Sequence, residues 1–177
     1  FTNDLQICNR CISLRNLCFQ TGNRFVHKEL GWNYRMTNLQ AALGIAQLEK
    51  LDITVKKKIN IGEIYNSHLR ELKDLQLPLE KTKFEKNIYW VFGIVLDSKF
   101  GNAKEFMEKL RNLKIGTRPF FYPMHKQPIF QEMGLFKNKH FPISENLYQQ
   151  GFYLPSGVNL TEEDIKKVCE KFKMIYK

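Results

Sequence analysis

The chain has 177 residues, 43% of them hydrophobic, and 28 basic against 18 acidic side chains give it a formal charge of +10. That apolar content can bury a core in one or two small domains, and no apolar run approaches the roughly eighteen residues that a membrane-spanning helix requires. The basic residues are scattered among Glu and Asp, the largest run (Lys56-Lys57-Lys58) falls inside a helical stretch, and no basic stripe is interleaved with stacking aromatics, which argues against nucleic acid.

Phe1-Thr2-Asn3-Asp4 lacks the basic and apolar regions of a signal peptide, and with no initiator Met, Phe1 reads as an internal position. Four cysteines without a secretory signal imply reduced thiols and a cytoplasmic protein. Cys8-x-x-Cys11 followed by Cys18 invites a zinc reading. However, Leu5 to Leu14 reads as a helix with Ile7, Cys11 and Leu14 on its apolar face, no second Cys pair follows, and no metal is expected.

Residues 4–17 predict a short helix, and 18–34 an irregular stretch punctuated by Gly22 and Gly31. Thr37-x-x-Gln40 is a capping-box pattern opening a strong helix. Ala41-Ala42-Leu43-Gly44-Ile45-Ala46 is apolar all round, so it calls for burial on several sides. Gly44 there costs about 1 kcal/mol relative to Ala, which suggests a closely packed backbone. Helical spacing continues to Leu75, as one long or bent helix or two in succession. After Pro78, residues 88–96 predict a buried strand. Ala103 to Leu113 predict an amphipathic helix, Ile115-Gly116-Thr117 a short strand, and 119–128 a Pro-rich loop. Ser144 to Gln150 predict a helix ended by Gly151, and Phe152-Tyr153-Leu154 a strand. A last helix opens at Thr161-x-x-Asp164, with Ile165, Val168, Cys169 and Phe172 on one face. The expected architecture is α/β: a long connecting helix plus a small α+β domain with a short sheet. Residues 1–36 would belong to a larger domain, 37–77 to a connecting and contact helix, and 78–177 to the small domain. The apolar helix segment requires a partner domain or subunit to cover it.

Two segments carry residues that packing does not explain. Asn33 and Arg35 precede the helix N-terminus, where free N–H groups favour an anion such as phosphate; from spacing alone, a turn at Asn33 and a surface ion pair at Arg35 are the stronger explanation. In Thr117 to Pro128, prolines stiffen a loop in which Arg118 can grip a phosphate bidentately. Phe120, Phe121 and Tyr122 can stack on a base or cover a sugar, or simply plug the domain, and His125 stands beside them. His27, His68 and His140 have no evident ligand neighbours.

Gly31-Trp-Asn-Tyr-Arg-Met-Thr-Asn-Leu-Gln-Ala-Ala-Leu-Gly44, then Gln47-Leu48, resembles the segment that follows the lysine in the DegT/DnrJ/StrS family of pyridoxal-phosphate (PLP) sugar-nucleotide aminotransferases. Thr2-Asn3-Asp4, Arg15-Asn16, Phe141-Pro142-x-Ser144-Glu145, Leu154-Pro155-Ser156-Gly157 and Leu160-Thr161 resemble its other motifs, in the family's order. Arg118-Pro-Phe-Phe-Tyr-Pro-Met-His125 is similar to members that aminate GDP-4-keto-6-deoxymannose to GDP-perosamine for surface polysaccharides. The resemblance implies the C-terminal part of a fold-type-I aminotransferase acting as a homodimer with shared active sites. A lysine would hold PLP as a Schiff base while an amino donor, usually glutamate, aminates the 4-keto sugar nucleotide. Asn33 would reach the cofactor phosphate of the partner subunit with Arg35 in the same region, and Arg118, Phe120, Tyr122 and His125 would lie by the substrate. No lysine here matches the family's lysine motif, so that residue is expected upstream of Phe1 and this chain alone is expected to be inactive. A short nucleotide-sugar-binding paralogue without turnover is the alternative expectation.

Overall fold

The computed structural model describes residues 1–19, 22, 25 and 27–176, so the expected irregular stretch 18–34 lies partly outside the described residues. The chain divides into two compact units, residues 1–51 and 52–177.

In the first unit, helix α1 (Leu5–Arg15) starts where the Asp4 carboxylate accepts the N–H groups of Gln6 and Ile7, two donors that the helix itself leaves unpaired. Helix α2 (Asn38–Leu48) carries the capping box expected from sequence: Gln40 N–H donates to Thr37 Oγ1 at 3.2 Å and Thr37 N–H to Gln40 Oε1 at 2.9 Å. Neither helix buries a residue. Among the described residues Gly44 has no close neighbour of the kind expected, and a Cβ at that position would meet nothing within 4 Å. Gly31 is different. A Cβ there would lie 2.5 Å from the Cys18 nitrogen, so only glycine lets the returning chain run along the end of α1.

The second unit takes in α3 (Leu51–Leu69) from its second residue on, and the long-helix question is settled as two helices in succession. The helix ends at Leu69 rather than Leu75. The chain turns through Asp74, with φ 63°, and Leu75–Gln76 becomes the edge strand β1. Strand β2 is Phe92–Leu96, shorter than the 88–96 expected. Tyr89 adopts a left-handed φ of 52°, which a continuous strand cannot contain; its ring turns into the core while Trp90 stays 72% exposed. Gly62 of α3 makes room for that ring, because a Cβ there would sit 2.2 Å from it.

Helix α4 (Ala103–Asn112) is capped by the Asn102 side chain on Glu105 N–H. The strand expected at 115–117 lies instead at Arg118–Pro119 (β3): Lys114, with φ 65°, turns the chain and Ile115 is drawn into the core. The expected loop 119–128 contains a 3-10 turn at Met124–Lys126 and leads into the short helix α5 (Pro128–Glu132), both unforeseen. Helix α6 (Pro142–Gln150) begins at a proline, whose missing N–H costs nothing in a first turn. Strand β4 (Gly151–Leu154) and helix α7 (Glu162–Ile175), with its Thr161/Asp164 capping box, close the chain.

The sheet is antiparallel throughout, in the order β1-β2-β4-β3. Ile94 opposite Phe152, and Phe92 opposite Leu154, point to the core face. Tyr65 and Leu69 of α3, Phe106 and Leu110 of α4, and Ile165, Val168 and Phe172 of α7 bury against them. Tyr65 stacks on Phe92 at 4.6 Å, and Phe106 meets Phe172 at 5.1 Å. Burying such side chains contributes about 1.5–3 kcal/mol each. On the opposite sheet face, Phe120 occupies the space left by Gly93 and Gly151 and packs on Tyr153 at 4.7 Å. The architecture is the expected α/β class with a small sheet. Among the described residues no helix is long and apolar enough to cross a membrane.

Candidate functional site

Two sets of residues were singled out by sequence, and each belongs to one unit. In the first unit, residues 32–34 run antiparallel to the end of α1. Trp32 N–H donates to Leu14 O at 2.7 Å, Leu17 N–H to Trp32 O at 3.1 Å, and Tyr34 N–H to Arg15 O at 3.0 Å, with Asn16 and Asn33 forming the bridge. This fixes the backbone of Asn33 and leaves its side chain exposed. Arg35 Nη1 donates to Asn16 Oδ1 at 3.0 Å, a neutral partner that keeps the guanidinium charge available. The capping box already takes the N–H groups of Thr37 and Gln40, so an anion here would be held by the side chains of Asn33 and Arg35. A neutral amide and a guanidinium are donors suited to a phosphate group, and the cofactor implied by the family resemblance fits them on that account. Cys8 and Cys11 lie on α1, and no cluster of three or more metal-ligating side chains is found among the described residues.

In the second unit the loop after β3 is tied down at its far end. His125 is buried, and its Nε2 lies 2.8 Å from Glu145 Oε1. Lys126 Nζ donates to Glu145 Oε2 at 2.5 Å, and Phe141 N–H reaches Oε1 at 3.4 Å. The Lys126 and His125 hydrogen bonds, with smaller help from Phe141, pull the Glu145 carboxyl down to about 2. The Gln131 side chain donates to the His125 carbonyl, and Phe141 packs edge-on to the His125 ring at 4.8 Å. His125 is therefore spent inside the protein, as is most of Phe120. Arg118, on the outer strand opposite Tyr153, is exposed, and so is Tyr122, which rests edge-on against Tyr148 at 4.9 Å.

Arg118 lines a groove of about 450 Å³ with Thr117, Trp90, Tyr153, Ser156 and Lys58. Lys58 Nζ donates to Ser156 O at 2.5 Å, and one helical turn pair further on Tyr65 Oη donates to Pro155 O at 2.7 Å. Helix α3 thus clamps two successive carbonyls of the Leu154-Pro155-Ser156-Gly157 segment. Burial lowers the Lys58 pKa from its ordinary value. Neither Glu145 nor Lys58 was among the site residues expected from the sequence. Lys58 did carry a signal: it stands three and seven residues before Ile61 and Tyr65, on the apolar stripe of its helix. Glu145 carried only its place at the end of the Phe141-Pro142-x-Ser144-Glu145 motif, which pointed to the family and to no particular contact.

Residues 1–173 match the sequence profile of the DegT/DnrJ/EryC1/StrS aminotransferase family. GDP-perosamine synthase of Vibrio cholerae is 37% identical over 94% of this chain and 45% of its own length. The solved structure of Helicobacter pylori PseC, an aminotransferase involved in the biosynthesis of pseudoaminic acid, superposes with a TM-score of 0.83 at 21% identity, over 99% of this chain and 47% of that one. That of NtdA from Bacillus subtilis, with bound cofactor PMP, gives a TM-score of 0.79 at 24% identity, over 99% of this chain and 40% of that one. The chain spans less than half the length of each.

Proposed function

The chain belongs to the DegT/DnrJ/EryC1/StrS aminotransferase family, and from that premise we propose that it supplies the C-terminal part of a longer PLP-dependent sugar aminotransferase. In this reading the complete enzyme passes an amino group from glutamate to GDP-4-keto-6-deoxymannose, giving GDP-perosamine for a surface polysaccharide. The observation that carries the reading is the 37% identity to a GDP-perosamine synthase across nearly the whole chain. The coverage of less than half of each relative supports a larger whole.

PLP, when bound, supplies the electron sink that lets an amino group leave one carbon and arrive at another. The residues of this chain do the holding. Asn33, fixed by its bridge to Asn16, and Arg35, oriented by the Asn16 amide, bind the cofactor phosphate. The exposed apolar residues of α2 (Leu39, Leu43, Ile45 and Leu48, at 58–81% exposure) support a homodimer in which that phosphate belongs to the partner subunit's site. Arg118 and Tyr122 face the nucleotide sugar, whereas Phe120 and His125 hold the loop that presents them. The two prolines at 119 and 123 limit the loop's freedom before substrate arrives.

The test is turnover by the full-length protein supplied with PLP, glutamate and GDP-4-keto-6-deoxymannose. A GDP-linked 4-amino sugar is the expected product, and residues 1–177 alone should form none above the rate of free PLP. Turnover by the short chain, or no reaction of the full-length protein with any 4-keto sugar nucleotide, contradicts the proposal.

A further inference from the structure

We infer that the groove between α3 and the β3–β4 edge is a phosphate-type oxyanion site, with Lys58 and Arg118 as its two charges and Trp90 as a flat wall beside it. The lining of this groove contains two cations and no carboxylate. No ion pair joins Lys58 or Arg118 to an acid among the described residues, although surface ion pairs form elsewhere in the same unit, at Lys99–Asp74 and Lys167–Glu163. In a chain with 18 acidic side chains, two cations sharing a concavity with no acid are a feature to be explained.

Lys58 is not a freely solvated surface lysine. It is half-buried on the stripe of α3 that faces the core, and its ammonium meets a backbone carbonyl. A carbonyl accepts one hydrogen bond but does not cancel a charge, and an ammonium has three donors, so two remain. Burial disfavours that uncompensated charge, which the lowered pKa reports. An oxyanion in the groove would compensate it. Arg118 contributes a planar fork of donors from the outer strand, where pairing with Tyr153 holds its backbone. Trp90 is 72% exposed beside them, because the left-handed turn at Tyr89 sends one ring inward and the next outward. An exposed indole at the rim of a cationic groove suits a flat ring carried on a phosphate.

This site rests on the function proposed above for the identity of its ligand, which is then the diphosphate of the nucleotide sugar, but not for its existence. Lys58 becomes a specificity-determining residue, reading the diphosphate from α3 while Arg118 reads it from the strand edge.

The experiment is calorimetric titration of the PLP-loaded full-length protein, whose cofactor phosphate site is already filled, with inorganic pyrophosphate, GDP and guanosine. Pyrophosphate and GDP should compete for one site, and guanosine should bind far more weakly. Lys58→Met keeps the apolar stem and removes the charge, and should weaken pyrophosphate and GDP by roughly tenfold or more, the ordinary loss for a hydrogen bond to a charged group. Lys58→Arg should retain most of the binding, which a packing defect would not allow, and Lys57→Met, an equal charge loss on the exposed side of the helix, should bind as the native protein does. Native-like pyrophosphate binding by Lys58→Met overturns the site and leaves the aminotransferase reading standing. Lys58-dependent pyrophosphate binding that GDP fails to displace keeps the oxyanion site and overturns the sugar-nucleotide ligand.

Discussion

The two units of this chain obtain their order in different ways. Residues 52–177 wrap a small sheet in aromatic rings and bury them completely: Tyr65, Phe92, Phe106, Phe152 and Phe172 are all below 2% exposure. Residues 1–51 have well-formed caps and a backbone ladder from Leu14 to Tyr34, yet their two helices bury nothing. Local hydrogen bonding can define a shape without supplying the hydrophobic free energy that keeps it folded. The first unit therefore has the design of a surface awaiting a cover, and the second that of a self-sufficient core.

The contrast is broken or sharpened most strongly by truncating large side chains. Phe172→Ala should destabilise residues 52–177 by about 3–5 kcal/mol, as buried aromatic deletions do, measured by urea unfolding of the full-length protein. Leu43→Ala in α2 should leave the unfolding of this chain by itself almost unchanged, within about 0.5 kcal/mol, while weakening self-association of the full-length protein in sedimentation. A large loss of stability in the isolated chain from Leu43→Ala would show that the first unit does have a core of its own.

Two glycines give a smaller version of the comparison. Gly62→Ala drives a methyl into the Tyr89 ring, which a Cβ would meet at 2.2 Å, and should cost about 1–3 kcal/mol. Gly44→Ala meets nothing within 4 Å in this chain and should stabilise α2 by up to about 1 kcal/mol. In the full-length protein the Gly44 gain should disappear or reverse if the missing cover packs against that helix. Thermal unfolding of the short and long proteins side by side reads both effects.

How much of this was legible in the sequence follows the same division. Caps are local, and Thr37/Gln40 and Thr161/Asp164 were readable because two residues within a span of four suffice to specify them. The faces of α4 and α7 were readable from spacing. The short strands were not: β1 and β3 have two residues each, and what makes them strands is the partner they pair with rather than their own propensity. The false strand residues 88–91 looked aromatic and β-branched, but their conformation is set by Tyr89 turning over Gly62, a contact across the fold. The site follows the rule too. Arg118 announced itself by residue type, whereas the Lys58 contact to Ser156 spans 98 residues of sequence and the Glu145 clamp on His125 spans 20.

An effect confined to acid pH concerns that clamp. Glu145 titrates near 2 in the folded protein against an ordinary value of 4.5. A depressed carboxyl stabilises the fold fully above its unfolded value, and the contribution is lost as pH falls from about 4.5 towards 2. Glu145→Gln should therefore flatten that part of the acid limb of the stability curve while changing nothing in its slope at neutral pH. An acid limb with the same slope in the variant would remove the clamp from the account.

The central claim is that the first unit is completed by a second subunit and that Asn33 serves the partner's cofactor. It is tested most directly by subunit mixing in the full-length protein, with one variant carrying Asn33→Ala and the other lacking the cofactor-binding lysine. Each alone should be nearly inactive. In the mixed dimer both defects fall on one composite site, and the other site combines an intact lysine from the first variant with an intact Asn33 from the second. Activity should return on mixing to about a quarter of the native level, from random pairing of equal amounts with half the mixed dimers' sites intact. No recovery, with subunit exchange confirmed by mass spectrometry, would contradict the account, because an Asn33 that served its own chain's cofactor would leave every site in the mixed dimer with one defect.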